Sequence, residues 1–209
     1  MKNMTRYNSS RGAQSGFTII ELVVVILLLG ILTATALPRF LDVTDEAHQS
    51  VVDAVQGGLA TGSALFRAAW FVANEDLTAA IPQFGDSSLF ANSSGYPIGA
   101  DNSFTDQVDC AYIFTRLLQA GAPSSSATAY NADQETWIET GATGNTADFI
   151  ITDNTGDGTP TGCQFAYVGQ YRAGGDGTAG NLATQTVPLL EWASGTGIVT
   201  ATTVALNDN

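Results

Sequence analysis

Gly16-Phe17-Thr18-Ile19-Ile20-Glu21-Leu22-Val23-Val24-Val25-Ile26-Leu27-Leu28-Leu29-Gly30-Ile31-Leu32 sets the plan of this chain. The apolar run extends from Phe17 to Leu37 without a Lys, Arg, Asp, Asn or Gln, and its single ionisable group is Glu21. As a helix rising about 1.5 Å per residue it measures roughly 31 Å, enough to cross a hydrocarbon core of about 30 Å. Residues 1–16 are polar and carry Lys2, Arg6 and Arg11 with no acid, which places the N-terminus on the cytoplasmic side. A secretory signal puts its small-residue cleavage motif after the apolar stretch. Here the small residue, Gly16, precedes it. Cleavage after Gly16 removes the basic leader, keeps the hydrophobic helix and leaves a new amino group on Phe17.

The stretch resembles a type IV prepilin. The resemblance rests on Gly16-Phe17-Thr18, on Glu21 at the fifth mature position, on Gly30, and on Pro38 ending the apolar run. It continues more loosely along Pro38–His48, which is similar to the mannose-sensitive haemagglutinin branch of these pilins, and beyond Ala73 it rests on architecture. It implies a prepilin peptidase that cleaves after Gly16 and methylates Phe17. It also implies that Glu21 meets the Phe17 amine of a neighbouring copy and so sets axial register during assembly. The physics agrees: a carboxylate near one end of a spanning helix costs on the order of 2–3 kcal/mol and marks function. An α-amino group, cationic at neutral pH, is its natural counter-ion.

A length of 209 residues allows four parts: a leader over 1–16, a membrane or filament-core helix over 17–38, its amphipathic continuation over 39–73, and a globular domain over 74–209. Beyond the leader, Arg39, Arg67, Arg116 and Arg172 face all twenty acids, with no Lys. That field repels nucleic acid and anionic headgroups and favours a solvated surface. Leu41, Thr44/Asp45, Ala47/His48, Val51, Val55, Leu59, Gly62, Phe66, Ala69 and Ala73 recur at helical spacing. Pro38 removes a backbone donor and Gly30 lowers helix propensity by about 1 kcal/mol, so the two bracket a soft segment. The resemblance implies loss of helix between them in a filament. Gly57, Gly58 and Gly62 either bend the continuation or let another element pack closely. His48, without a second His or a Cys nearby, reads as a surface helix residue.

Residues 74–104 read as an irregular connection. A short helix is expected over about 105–121, capped by Thr105 and ended by Gly121 and Pro123, with Val108, Ala111, Phe114/Thr115 and Leu118 inward. Strand-like runs follow over about 135–206: Glu135–Thr140, Ala147–Thr152, Cys163–Tyr171, Val187–Ala193 and Gly197–Leu206. The intervals look too short for helical crossovers, so antiparallel pairing is the economical topology. The fold expected is α+β, a long N-terminal helix, half membrane-spanning, packed on an antiparallel sheet domain as in pilins.

Cys110 and Cys163 are the only cysteines, and one pair in extracytoplasmic chain reads as a disulfide. A reactive thiol pair is the alternative. Pilins place such a bond nearer the C-terminus, and here a longer tail follows Cys163. In Asp153-Asn154-Thr155-Gly156-Asp157-Gly158, Asp153, Thr155 and Asp157 fall at the first, third and fifth positions of a calcium loop, with Gly158 at the sixth. Gln164 stands at the twelfth position, where a bidentate Glu is wanted, so a plain turn is the competing reading. Gly174-Gly175-Asp176-Gly177 reads as a turn. No catalytic set appears. The reading is a structural subunit that polymerises into a helical filament and is no enzyme. It moves from the inner membrane to an extracellular pilus of Gram-negative type through a pilus assembly machinery, for adhesion or motility, without nucleic acid or an obligatory cofactor. A type II secretion pseudopilin, a minor pilin and a non-assembling anchored binding protein are the alternatives.

Overall fold

The computed structural model describes residues 16–82, 84, 89–155, 160–171 and 185–206, and of residues 37–45 and 120 the backbone alone. Two compact units divide the chain, residues 1–44 and 45–209. Helix α1, Ile19–Val72, contributes to both and is assigned as helix through Gly30, Pro38, Gly57, Gly58 and Gly62. In the first unit its apolar side chains stand free: Ile19, Leu22, Leu27 and Leu32 are each more than 60 % exposed.

The second unit continues with β1 (Phe90–Ala91), β2 (Pro97–Gly99), α2 (Gln107–Leu118), β3 (Ser125–Ala127), α3 (Gln134–Ala142), β4 (Phe149–Asp153), β5 (Gly162–Tyr167), β6 (Thr186–Ala193) and β7 (Val199–Ala205). β1 and β2 form a small antiparallel pair inside the stretch expected to be irregular. The remaining strands form one sheet in the order β3-β4-β5-β6-β7. Consecutive strands from β4 to β7 are antiparallel, as expected. Pro188, inside β6, faces Thr203 of β7, and pairing with β5 ends at Ala166↔Leu189. Its missing N–H therefore falls where the ladder asks for none.

Three expectations are corrected. Glu135–Thr140 is not a strand but the body of α3. Asp133 caps that helix, its Oδ1 accepting from the Glu135 N–H and its Oδ2 from the Thr136 hydroxyl. Trp137, Ile138 and Ala142 then share one buried face. The sheet is also not wholly antiparallel. Ser125–Ala127 pairs parallel with Phe149–Ile151, and α3 is the helical crossover between them. Lastly, α2 begins at an Asp106 cap, whose side chain accepts from the Val108 N–H, and not at Thr105. It buries Asp109, Cys110, Ile113, Phe114 and Leu117, while Val108 and Thr115 face solvent. That face is turned one residue from the one expected, because Cys110 must point at β5.

Both faces of the sheet are covered. On one, Val52, Val55, Leu59, Phe66 and Trp70 of α1 join α2 over Phe149, Ile151, Phe165, Leu190 and Trp192. On the other, Trp137 and Ile138 of α3 lie with Ile150, Ala166, Val187 and Leu189. This is why β4 and β5 are buried at every residue and do not alternate in sequence. Of the glycines in the second half of α1, Gly58 and Gly62 serve close packing and Gly57 does not. A Cβ at Gly62 would stand 2.8 Å from the Leu117 carbonyl oxygen, one at Gly58 2.6 Å from Leu118 Cδ2, and one at Gly57 would meet nothing. Ser63 adds a buried hydrogen bond, its Oγ accepting from Trp192 Nε1 at 2.9 Å.

Candidate functional site

The N-terminal end of α1 carries most of the residues singled out by sequence. Gly16 and Phe17 precede the helix, Phe17 is 91 % exposed, and a Cβ on Gly16 would touch nothing. Thr18 and Glu21 form a reciprocal capping box. Glu21 Oε2 accepts from the Thr18 N–H at 2.9 Å and from the Thr18 hydroxyl at 2.9 Å, and Thr18 Oγ1 accepts from the Glu21 N–H at 3.3 Å. Donors that a helix start leaves unpaired are thereby satisfied, and the Glu21 rotamer is held. Thr18 was not singled out by the charge-based reading, although Thr18-x-x-Glu21 is a legible capping signature.

Ile19–Ala36 forms an 18-residue window of mean hydropathy 2.7, none of it buried in the fold, long and apolar enough to span a membrane. Its hydroxyls are quenched locally: Thr33 Oγ1 donates to the Leu29 carbonyl at 2.7 Å and Thr35 Oγ1 to the Leu32 carbonyl at 3.0 Å. Gly30 has open space around it, and Pro38 lies in the stretch where only the backbone is described.

Cys110 and Cys163 are joined, with Cα atoms 5.5 Å apart and a sequence separation of 53, tying α2 to β5. Both are buried. The closed loop holds β3, α3 and β4 and none of the exposed apolar helix.

The possible calcium loop is only partly within the described residues. Asp153 ends β4 and is 3 % exposed, and burial raises its carboxyl above the ordinary value. The Thr155 hydroxyl oxygen is shut from solvent and has no hydrogen-bond partner among the described residues. Asn154 closes the mouth of the loop, its Oδ1 accepting from the N–H groups of Thr161 and Gly162 and its Nδ2 donating to Thr161 Oγ1. Asp157 lies outside the described residues, as do Arg172 and Gly174–Gly177. Among the described residues no group of three His, Cys, Asp or Glu side chains could hold a metal ion. His48 is not a plain surface residue. It is half-buried and shares a 2.8 Å hydrogen bond between Nδ1 and the Tyr167 hydroxyl.

Residues 11–37 match the family model described as the prokaryotic N-terminal methylation motif. Over 50 residues the chain is 50 % identical to the type IV narrow pilus major component PilA5 of Thermus thermophilus. That similarity covers 24 % of this chain and 43 % of the relative, so it spans less than half of the relative's length. No solved structure matches the chain. With the exposed apolar helix Ile19–Ala36 in place, the methylation motif and the Thermus relative both support a type IV pilin.

Proposed function

We propose that this chain is the structural subunit of a type IV pilus filament, made as a membrane-anchored precursor and polymerised through α1. The observation that carries the reading is the methylation motif over residues 11–37, which includes the apolar helix Ile19–Ala36 with Glu21 as its one ionisable group. In this reading a prepilin peptidase cleaves after Gly16 and methylates the new Phe17 amine. The apolar helix stores the subunit in the inner membrane until an assembly machinery draws it into the filament. There Glu21 of one copy meets the Phe17 amine of the next.

The capping box gives that step a form. Both Thr18 bonds fall on Glu21 Oε2, so we assign Oε1 as the acceptor for the neighbour's amine. Thr18 is then a positioning residue that holds the carboxylate ready. Gly30 and Pro38 supply the local softness the helix needs on leaving the bilayer. The role is mechanical and adhesive, with no catalytic step, cofactor or nucleic acid.

The test is Glu21→Gln in cells that carry the assembly machinery. Filaments in the sheared fraction are expected to vanish while the precursor still fractionates with membranes. Mass spectrometry of wild-type filaments should find a chain that starts at a methylated Phe17. Filaments of normal yield from the variant, or a mature chain still bearing residues 1–16, would refute the assignment.

A further inference from the structure

The sheet has two edges, and they differ. β3 is three residues long, the ordinary way to blunt an edge. β7 is seven residues long, Val199-Thr200-Ala201-Thr202-Thr203-Val204-Ala205, and pairs with β6 in continuous register without a bulge. Its outward groups follow from the alternation of an antiparallel ladder. At one end the Ile198 carbonyl accepts from the Ala193 N–H, and at the other the Leu206 N–H donates to the Gln185 carbonyl. Thr200, Thr202 and Val204 therefore point their backbone groups at β6, and Val199, Ala201, Thr203 and Ala205 point theirs away. Gln56 Nε2 takes the Val199 carbonyl at 3.2 Å, as that parity requires. The outward N–H and C=O groups of Ala201, Thr203 and Ala205 have no backbone partner among the described residues.

Beyond Val199, where Gln56 reaches it, this edge carries none of the usual guards among the described residues. It has no proline, no charged side chain and no bulge, and Thr200–Thr203 are all exposed. Threonine and valine favour strand conformation. The charge pattern selects the partner. The chain carries twenty acids against seven basic residues, yet residues 192–207 hold no charge at all. Two copies meeting here avoid placing acid against acid. The strand is also self-complementary: a two-fold axis through Thr202 sets Ala201 opposite Thr203 of the other copy, so the outward donors and acceptors of these two residues meet, while the Val199 carbonyl stays with Gln56.

We infer that the outer edge of β7 is a contact between two copies of this chain, made by antiparallel strand pairing about Thr202. This rests on the filament reading and extends it. Successive subunits of a helical filament meet through two different surfaces, whereas this contact uses the same surface twice. It therefore joins subunits of neighbouring filaments and ties the fibres side by side.

The test uses the full chain assembled in cells, with sheared fibres viewed by electron microscopy and separated by low-speed sedimentation. Ala201→Pro and Thr203→Pro each remove one outward N–H and leave the ladder to β6 intact, a place where an edge strand tolerates proline. By the two-fold, each change deletes two hydrogen bonds, and the bundled fraction is expected to fall by about tenfold or more at unchanged filament yield. Thr203→Lys, which keeps the backbone donor and charges the edge, should disperse bundles in the same way. Bundling at the wild-type level in all three variants, or wild-type filaments that stay single, overturns the inference. A wild-type chain that makes no filaments overturns the pilus reading itself and this contact with it, before any variant is made.

Discussion

Substituting the glycines of α1 one at a time by alanine separates helix propensity from packing. In an exposed helix interior, Gly→Ala stabilises by about 1 kcal/mol, through a better-populated helix and a less floppy unfolded chain. Gly57 is such a site, since a Cβ there meets nothing within 4 Å. At Gly58 the new methyl would stand 2.6 Å from Leu118 Cδ2, the far end of a side chain that can swing aside, so the gain should roughly cancel. At Gly62 it would stand 2.8 Å from the Leu117 carbonyl oxygen and 2.9 Å from Leu117 Cβ. Those atoms belong to the α2 backbone or sit directly on it, and moving them shifts the whole helix against α1. Overpacking of this kind costs about 1–3 kcal/mol. The propensity gain is common to the three sites, so Gly57→Ala and Gly62→Ala should differ by about 1–3 kcal/mol. For a domain of this size each kcal/mol moves Tm by about 2–4 °C. The assay is thermal unfolding of the full chain in detergent micelles, followed by the fluorescence of buried Trp137 and Trp192. The expected order is Gly57→Ala above wild type, Gly58→Ala near it and Gly62→Ala below it. Equal shifts for Gly57→Ala and Gly62→Ala would refute the close approach of α1 and α2.

Replacing both Cys110 and Cys163 by Ala should lower the unfolding free energy by about 4 kcal/mol, the chain-entropy estimate for a closed loop of this length, as read by urea titration. Asp153→Asn should unfold at higher temperature than wild type at neutral pH. The sign follows from the raised carboxyl: the folded state holds the proton more tightly than the unfolded chain, so the wild type loses stability as pH rises through the acid range. The advantage of the variant should accordingly shrink as pH falls, and a gap that widens in acid would contradict the burial argument. Thr18→Val removes the capping hydroxyl but not the Glu21 charge. Filament yield should drop while membrane insertion and cleavage after Gly16 persist, and an unchanged yield would show that holding the carboxylate in place is immaterial.

What could be read from the sequence was local. The apolar run states its chemistry without reference to anything distant. The paired cysteines and the boundaries of β4, β6 and β7 were legible on the same footing. Where the reading failed, the deciding information was tertiary. Trp137-Ile138 between threonines and glutamates has the composition of a strand, and only the Asp133 cap argues for helix. Ser125–Ala127 has no apolar pattern, and it becomes a strand because β4 offers it a partner. In α2, Val108/Ala111/Thr115/Leu118 and Asp109/Cys110/Ile113/Phe114/Leu117 fit a helix equally well. What settles the choice is packing: Asp109 is buried with its Oδ2 accepting from the Thr105 N–H at 2.9 Å. The cap at Thr18 was legible in Thr18-x-x-Glu21, but Glu21 reads first as a charge and only then as a capping partner.

The bond between α2 and β5 has a mechanical consequence. A load entering the domain through α1 and leaving through its C-terminal strands passes from one cysteine to the other by the sulfur link and bypasses residues 111–162. Fully drawn out, that excursion would lengthen the chain by on the order of 180 Å. While the link is oxidised none of this slack can be released, so a stretched domain stays short even after the hydrogen bonds of β3 and β4 have torn.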